Sequence, residues 1–170
     1  MKKSQVWIET VIYTLIGLAI IGVLLSIVKP AIEEKKDQLL IQKSLEMIQT
    51  IQDKVEEVVH YGTGNSRPVE VKLTKGTLTI DAQNNSIEFF ITSSYMYSEP
   101  GQNISIGEIN TSTIKNGNKY DVRLTLAYSN LDLTWNEKDT KQVFQPSPGS
   151  YKVSITNTGV NGNLTQVDFS

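Results

Sequence analysis

From Thr10 to Val28 the chain carries no charged side chain: T-V-I-Y-T-L-I-G-L-A-I-I-G-V-L-L-S-I-V, about nineteen residues dominated by Ile, Leu and Val. At about 1.5 Å of rise per residue, a helix of that length covers a hydrocarbon layer of about 30 Å. A helix apolar on every face must be buried in a large core, in lipid or against other chains. A chain of 170 residues has room for one domain with an appendage, and the part beyond the run is rich in Asn, Thr and Ser. The overall apolar share of 39% is therefore the average of two unlike parts.

The residues before the run are as informative as the run itself. The chain begins M-K-K-S-Q-V-W-I-E, so Glu9 stands just inside an otherwise membrane-like segment. An acidic side chain at the centre of such a segment costs about 2.5–3.5 kcal/mol on insertion scales. A cleaved secretory signal has a shorter apolar region and an A-x-A-like end; here the run ends L-L-S-I-V-K-P-A-I-E-E, with no such site. A simple membrane anchor accounts for Lys2 and Lys3 as cytoplasmic charges and for Trp7 and Tyr13 as headgroup contacts. On that reading Glu9 only complements the helix macrodipole.

The stretch Lys3-Ser4-Gln5, followed by Glu9 and the uninterrupted apolar helix, resembles the N-terminus of type IV pilin-like precursors. It is similar to archaeal pilins, whose mature chains often begin with glutamine. The resemblance implies cleavage of residues 1–4 by a prepilin-type peptidase, with Gln5 as the first mature residue and Glu9 as the fifth. It also implies that the helices of many copies bundle into a filament core after a stage in the membrane. The new amine of Gln5 then needs a negative partner in a dry surrounding, and the Glu9 carboxylate, on the same or a neighbouring copy, supplies one. Removing one partner of such a buried pair costs about 3–5 kcal/mol.

Beyond Lys29-Pro30, where proline predicts a kink or a fresh helix start, the pattern becomes amphipathic. Ile41, Ile48 and Val55 recur at seven-residue intervals, with Leu45, Ile51 and Val58 at offsets of three or four. Glu33, Lys36, Asp37, Lys43, Asp53, Lys54 and Glu57 form the expected polar face. The later part is expected to pack on the chain's own C-terminal domain, and the earlier part to meet other copies or water. A helix continuous from Gln5 to His60 would be roughly 80 Å long.

Residues 61–68, Y-G-T-G-N-S-R-P, read as a linker, after which the apolar period changes to two. Alternation predicts strands at Val69–Leu73, Thr77–Asp81, Ser86–Thr92, Ile104–Ile106, Tyr120–Tyr128, Leu131–Trp135, Tyr151–Thr156 and Leu164–Phe169. Eight or nine short strands over residues 69–170 define an α+β chain: a long N-terminal helix (5–29 apolar, 30–60 amphipathic), then an antiparallel β-sandwich or barrel. The segments K-Y-D-V-R-L-T-L-A-Y and P-G-S-Y-K-V-S-I-T-N also look like the β-domains of archaeal pilins and archaellins.

The chain offers little to catalysis. Its sole histidine, His60, falls at the predicted helix end, where a cation is favourable. Nucleophile-elbow, P-loop, H-E-x-x-H and EF-hand patterns do not occur. Asp132, Glu137 and Asp139 flank Trp135, but their spacing fits no established calcium loop, and Trp135 reads as core. Gly17 and Gly22 are five apart and make no small-xxx-small motif. A net charge of −2 leaves no basic face for nucleic acid, and cysteine is absent. No cofactor and no metal is expected. Asn84, Asn103, Asn110 and Asn163 each open an N-x-[ST] triplet and are candidate N-glycosylation acceptors, Asn84 the most accessible of them.

Together these features lead to an expected structural subunit of an archaeal type IV pilus-like filament, not an enzyme: a membrane-held precursor, then a homo-oligomer at the cell surface. The other expectation is a single-span anchored surface protein whose β-domain binds a ligand. Adhesive and swimming filaments, or major and minor subunits, are not separated by these residues.

Overall fold

The computed structural model describes the backbone of residues 2–170 and the side chains of residues 7–170. One helix, α1 (Lys2–Tyr61), is followed by ten strands: β1 (Ser66–Val71), β2 (Thr77–Asp81), β3 (Ser86–Ser93), β4 (Asn103–Ile106) and β5 (Ile109–Asn116), then β6 (Lys119–Ala127), β7 (Leu131–Trp135), β8 (Lys141–Phe144), β9 (Tyr151–Asn161) and β10 (Leu164–Phe169). The chain divides into two compact units, one ending at Lys36 and the other Asp37–Ser170. The fold is α+β, as the sequence predicts. Helix α1 runs through Pro30 without a break in its assignment, so the fresh start expected there does not occur.

Within the Asp37–Ser170 unit, the strands form two sheets, ordered β1-β9-β10-β7 and β4-β5-β6-β3-β2-β8. They do not close into a barrel. Their inner faces share one core with a stripe of the helix: Ile41, Ile48, Ile51, Val55 and Val58 are each at most 1% exposed. The heptad spacing thus places these residues on one face, and that face belongs to the chain's own core. Opposite them stand the alternating residues of the strands, such as Ile87, Phe89 and Ile91 of β3 and Val122, Leu124 and Leu126 of β6.

The helix ends where the sequence dictates. Gly62 takes a φ of +85°, the left-handed conformation that closes many helices. The Asn65 side-chain amide donates to the carbonyls of Tyr61 and Gly62, at 2.8 and 3.0 Å. The linker is shorter than the predicted 61–68, because β1 already begins at Ser66 and includes Pro68. Proline has no N–H, and an outer strand tolerates it because one edge needs no donor. A second glycine is fixed by contact: at Gly76 (φ +82°) a Cβ would lie 2.6 Å from the Phe90 carbonyl oxygen and 2.7 Å from the Phe89 ring.

Three further differences from the sequence-based expectation have physical causes. Strands β5 and β8 are additional: β5 turns Thr111 and Thr113 inward where large apolar residues would mark a strand, and β8 has only four residues. The sheets are not purely antiparallel, since β10 pairs with β7 in parallel while pairing antiparallel with β9. Asp37, assigned to the polar face of the helix, is 4% exposed. Its carboxylate accepts hydrogen bonds from the Lys75 ammonium at 2.6 Å and from the Ser94 backbone N–H at 2.7 Å. A charge at that position is buried because two donors from the β-region meet it.

Candidate functional site

The most extended exposed apolar surface among the described residues is the run of α1. Trp7 (74% exposed), Leu18 (60%) and Ile27 (64%) are typical of it, and no residue of its most apolar window is buried. Its length and composition suffice to cross a membrane. The polar side chains within it are satisfied locally: Thr14 Oγ1 donates to the Thr10 carbonyl at 2.8 Å and Ser26 Oγ to the Val23 carbonyl at 2.7 Å. Such back-bonding is how hydroxyls are accommodated in helices that meet an apolar medium. The run therefore presents an uncharged, largely apolar surface, with the Tyr13 side chain exposed.

Glu9 is the exception. It is exposed at the start of this surface, and among the described residues no ion-pair partner faces it. Lys3, Ser4 and Gln5, the residues expected at a leader-cleavage junction, lie outside the residues whose side chains are described. Glu9 thus stands at the start of the apolar run.

All four candidate glycan acceptors are exposed. Their side chains differ in hydrogen bonding. The Asn84 side-chain amide donates to Asp81 at 2.7 Å, and Asp81 is also paired with Lys141 at 2.7 Å. Burial pushes the Asp81 carboxyl up, but the bonds from Lys141 and Asn84 outweigh it and hold the group below its ordinary value. Asn110 accepts from Ser105 Oγ at 2.7 Å. Asn103, at the start of β4, and Asn163, in the β9–β10 turn, have no side-chain hydrogen bond among the described residues.

The remaining candidates for chemistry resolve into structure. His60 is exposed in the last helical turn, its ring edge-on to Tyr61 at 5.3 Å. Asp132 accepts from the side-chain amides of Asn161 and Gln166, at 2.8 and 3.1 Å. Among the described residues no group of three or more His, Asp or Glu is placed to hold a metal ion. Trp135 is half-buried and stacks edge-on against Phe144 at 5.6 Å. A groove of about 450 Å³ runs between Leu40–Thr50 of the helix and Glu70–Lys75, floored by Leu40, Met47 and Leu73.

Sequence reasoning missed Asn85 as well as Asp37. Asn85 adopts a φ of +48°, a conformation that Asn tolerates better than most residues. From there its side-chain oxygen accepts the Leu133 N–H at 2.8 Å and its carbonyl accepts the Tyr128 N–H at 2.8 Å, tying the β2–β3 turn to the outer strand of the other sheet. The only sequence signal was the Gln83-Asn84-Asn85 turn itself. No protein-family model matches the chain, and no curated protein or solved structure matches it at a significant level.

Proposed function

We propose that this chain is the structural subunit of an archaeal type IV pilus-like surface filament, assembling with further copies of itself through its N-terminal hydrophobic helix. The observation that carries the reading is the division of labour along α1. Its later part completes the core of the β-rich unit, whereas the run from Thr10 to Val28 is uncharged and, among the described residues, has no buried member. A membrane supplies the cover before assembly, and the same helices of other copies supply it afterwards. The junction Lys3-Ser4-Gln5, taken together with Glu9, resembles a pilin-precursor processing site, which an anchor alone does not need.

In this proposal a prepilin-type peptidase cuts between Ser4 and Gln5, and the precursor leaves the membrane for an external filament. The Glu9 carboxylate neutralises the Gln5 amine inside the bundle. N-terminal sequencing of the membrane and filament fractions tests the processing, with Gln5 as the expected first residue. Glu9→Gln tests the assembly: insertion and cleavage proceed, and filament yield drops sharply because the unpaired amine recurs at every interface. An intact Met1 would leave the single-span anchor as the better account, whereas undiminished filaments in Glu9→Gln would remove the pairing role of Glu9 and leave the filament reading resting on processing alone.

A further inference from the structure

We infer that Asn116 and Asn161 are sites of non-enzymatic modification, where the backbone nitrogen of the following glycine displaces the side-chain amide. The carboxylates of Asp121 and Asp132 restrain that reaction in the folded chain. Neither statement depends on assembly. These are the two asparagines of the sequence that precede a glycine, and the same tripeptide, Asn-Gly-Asn, holds both. Glycine is the most permissive neighbour, because it has no Cβ to hinder the approach of its nitrogen to the asparagine side chain.

The two turns are also alike in structure. In each, the asparagine closes one strand and the next two residues form the loop. Asn116 pairs with Lys119 around Gly117-Asn118, and Asn161 pairs with Leu164 around Gly162-Asn163. The glycines take φ of +61° and +62°, as the first central position of a type II′ hairpin turn requires. Both asparagines and both glycines are exposed, and among the described residues neither glycine N–H donates a backbone hydrogen bond. The attacking nitrogen is therefore open to water and to hydroxide.

Once hydroxide has taken its proton, that nitrogen attacks the asparagine Cγ and forms a C–N bond. The Cγ–Nδ2 bond then breaks, Nδ2 takes a proton from water and leaves as ammonia, and a five-membered succinimide remains. Water opens the ring at either carbonyl, giving aspartate or isoaspartate and a gain of one mass unit. Here each amide that would leave is already held. Asn161 Nδ2 donates to Asp132 Oδ2 at 2.8 Å, and Asn116 Nδ2 donates to Asp121 Oδ2 at 2.9 Å. The acceptors are fixed in turn, Asp132 by Gln166 Nε2 at 3.1 Å and Asp121 by Thr92 Oγ1 at 2.7 Å. A carboxylate drawing on the amide hydrogens strengthens nitrogen donation into the carbonyl and makes Cγ a poorer electrophile. Its charge also opposes loss of the glycine proton and growth of negative charge on the amide oxygen. An aspartate product would set a second carboxylate against the first, a like-charge contact that disfavours the doubly ionised pair. At position 161 the change would fall at the hairpin that feeds β10, the strand joining β9 to β7.

Ageing the full-length protein in mild detergent at mildly alkaline pH, with peptide mass mapping over time, tests both statements. Peptides carrying Asn116 and Asn161 should gain one mass unit ahead of those carrying the other asparagines. In concentrated urea, where the hydrogen bonds are gone, the same two should convert severalfold faster. Asp132→Ala in the folded protein should speed Asn161 severalfold relative to Asn116 in the same molecule, and Asp121→Ala should shift that ratio the other way. In urea neither substitution should move the ratio. Earlier conversion of another asparagine, such as Asn65 or Asn85, each followed by serine, would overturn the assignment of the sites. A folded-state ratio left unchanged by the substitutions would overturn the restraint, including the case in which both sites speed up together because the fold has loosened.

Discussion

The two parts of α1 should respond oppositely to the same substitution. Ile48 is fully buried among the strands, whereas Ile16 is 50% exposed within the apolar run. Ile→Ala deletes three carbons, worth about 2.4 kcal/mol at about 0.8 kcal/mol per buried carbon. The cavity left in a packed core adds to that, and measured core truncations of this type cost about 2–5 kcal/mol. For Ile48→Ala we expect about 3 kcal/mol, which at roughly 4 °C per kcal/mol for a unit of this size lowers the melting midpoint by roughly 10–15 °C. For Ile16→Ala in the dispersed chain the expected change is within about 0.5 kcal/mol, since no protein neighbour is lost. The assay is thermal unfolding of the full chain in mild detergent, followed by near-ultraviolet circular dichroism. Filament counts in cells supply the second reading, and there Ile16→Ala should be the damaging change. Equal midpoint shifts for the two variants would refute the division of the helix into a core half and an assembly half.

Other consequences of the structure are testable in the same preparation. Asp37→Ala removes two charge-assisted hydrogen bonds and leaves the Ser94 N–H without its partner, while the half-exposed Lys75 returns to water. Urea unfolding should show a loss of about 2–3 kcal/mol. Asp81 has a folded-state pKa below its ordinary value, so its stabilising contribution is complete above the usual carboxylate range and is lost as pH falls through the folded value. Lys141→Gln should therefore narrow the gap between the urea midpoints at neutral and acid pH. The Tyr128 hydroxyl is buried without a hydrogen-bond partner, and burial, then Glu56 and Glu108, push its pKa up. Tyr128→Phe should be neutral or stabilising by up to about 1 kcal/mol, and should delete the last tyrosine to ionise in an alkaline absorbance titration.

How much of this was legible in the sequence depended on whether each signal was local. The bounds of β2, β7 and β10 could be read from alternation, because Leu78 and Ile80, Leu131 and Leu133, and Val167 and Phe169 each recur at a spacing of two and are buried. Strand β5 could not, since Thr111 and Thr113 are inward-facing without being apolar. The heptad stripe of the helix was visible, but not the burial of Asp37, because the donors that make it tolerable come from Lys75 and Ser94, distant in sequence. The same limit hid the parallel pairing of β7 with β10, whose direction is set by the long excursion through β8 and β9. At the candidate site Glu9 was conspicuous as a lone acid, whereas the engagement of Asn84 required the positions of Asp81 and Lys141.

The position of β10 has a consequence for how the protein is made. It is the last strand in sequence, yet it lies inside its sheet, between β9 and β7. Until Leu164–Phe169 arrives, β7 has no partner in that sheet, and Val167 and Phe169 are missing from the core. Synthesis proceeds from the apolar helix towards these residues, so the apolar run of α1 emerges before the four-stranded sheet can close. The six-stranded sheet contains no strand beyond β8 and can form earlier, so closure of the sandwich waits on β10 alone.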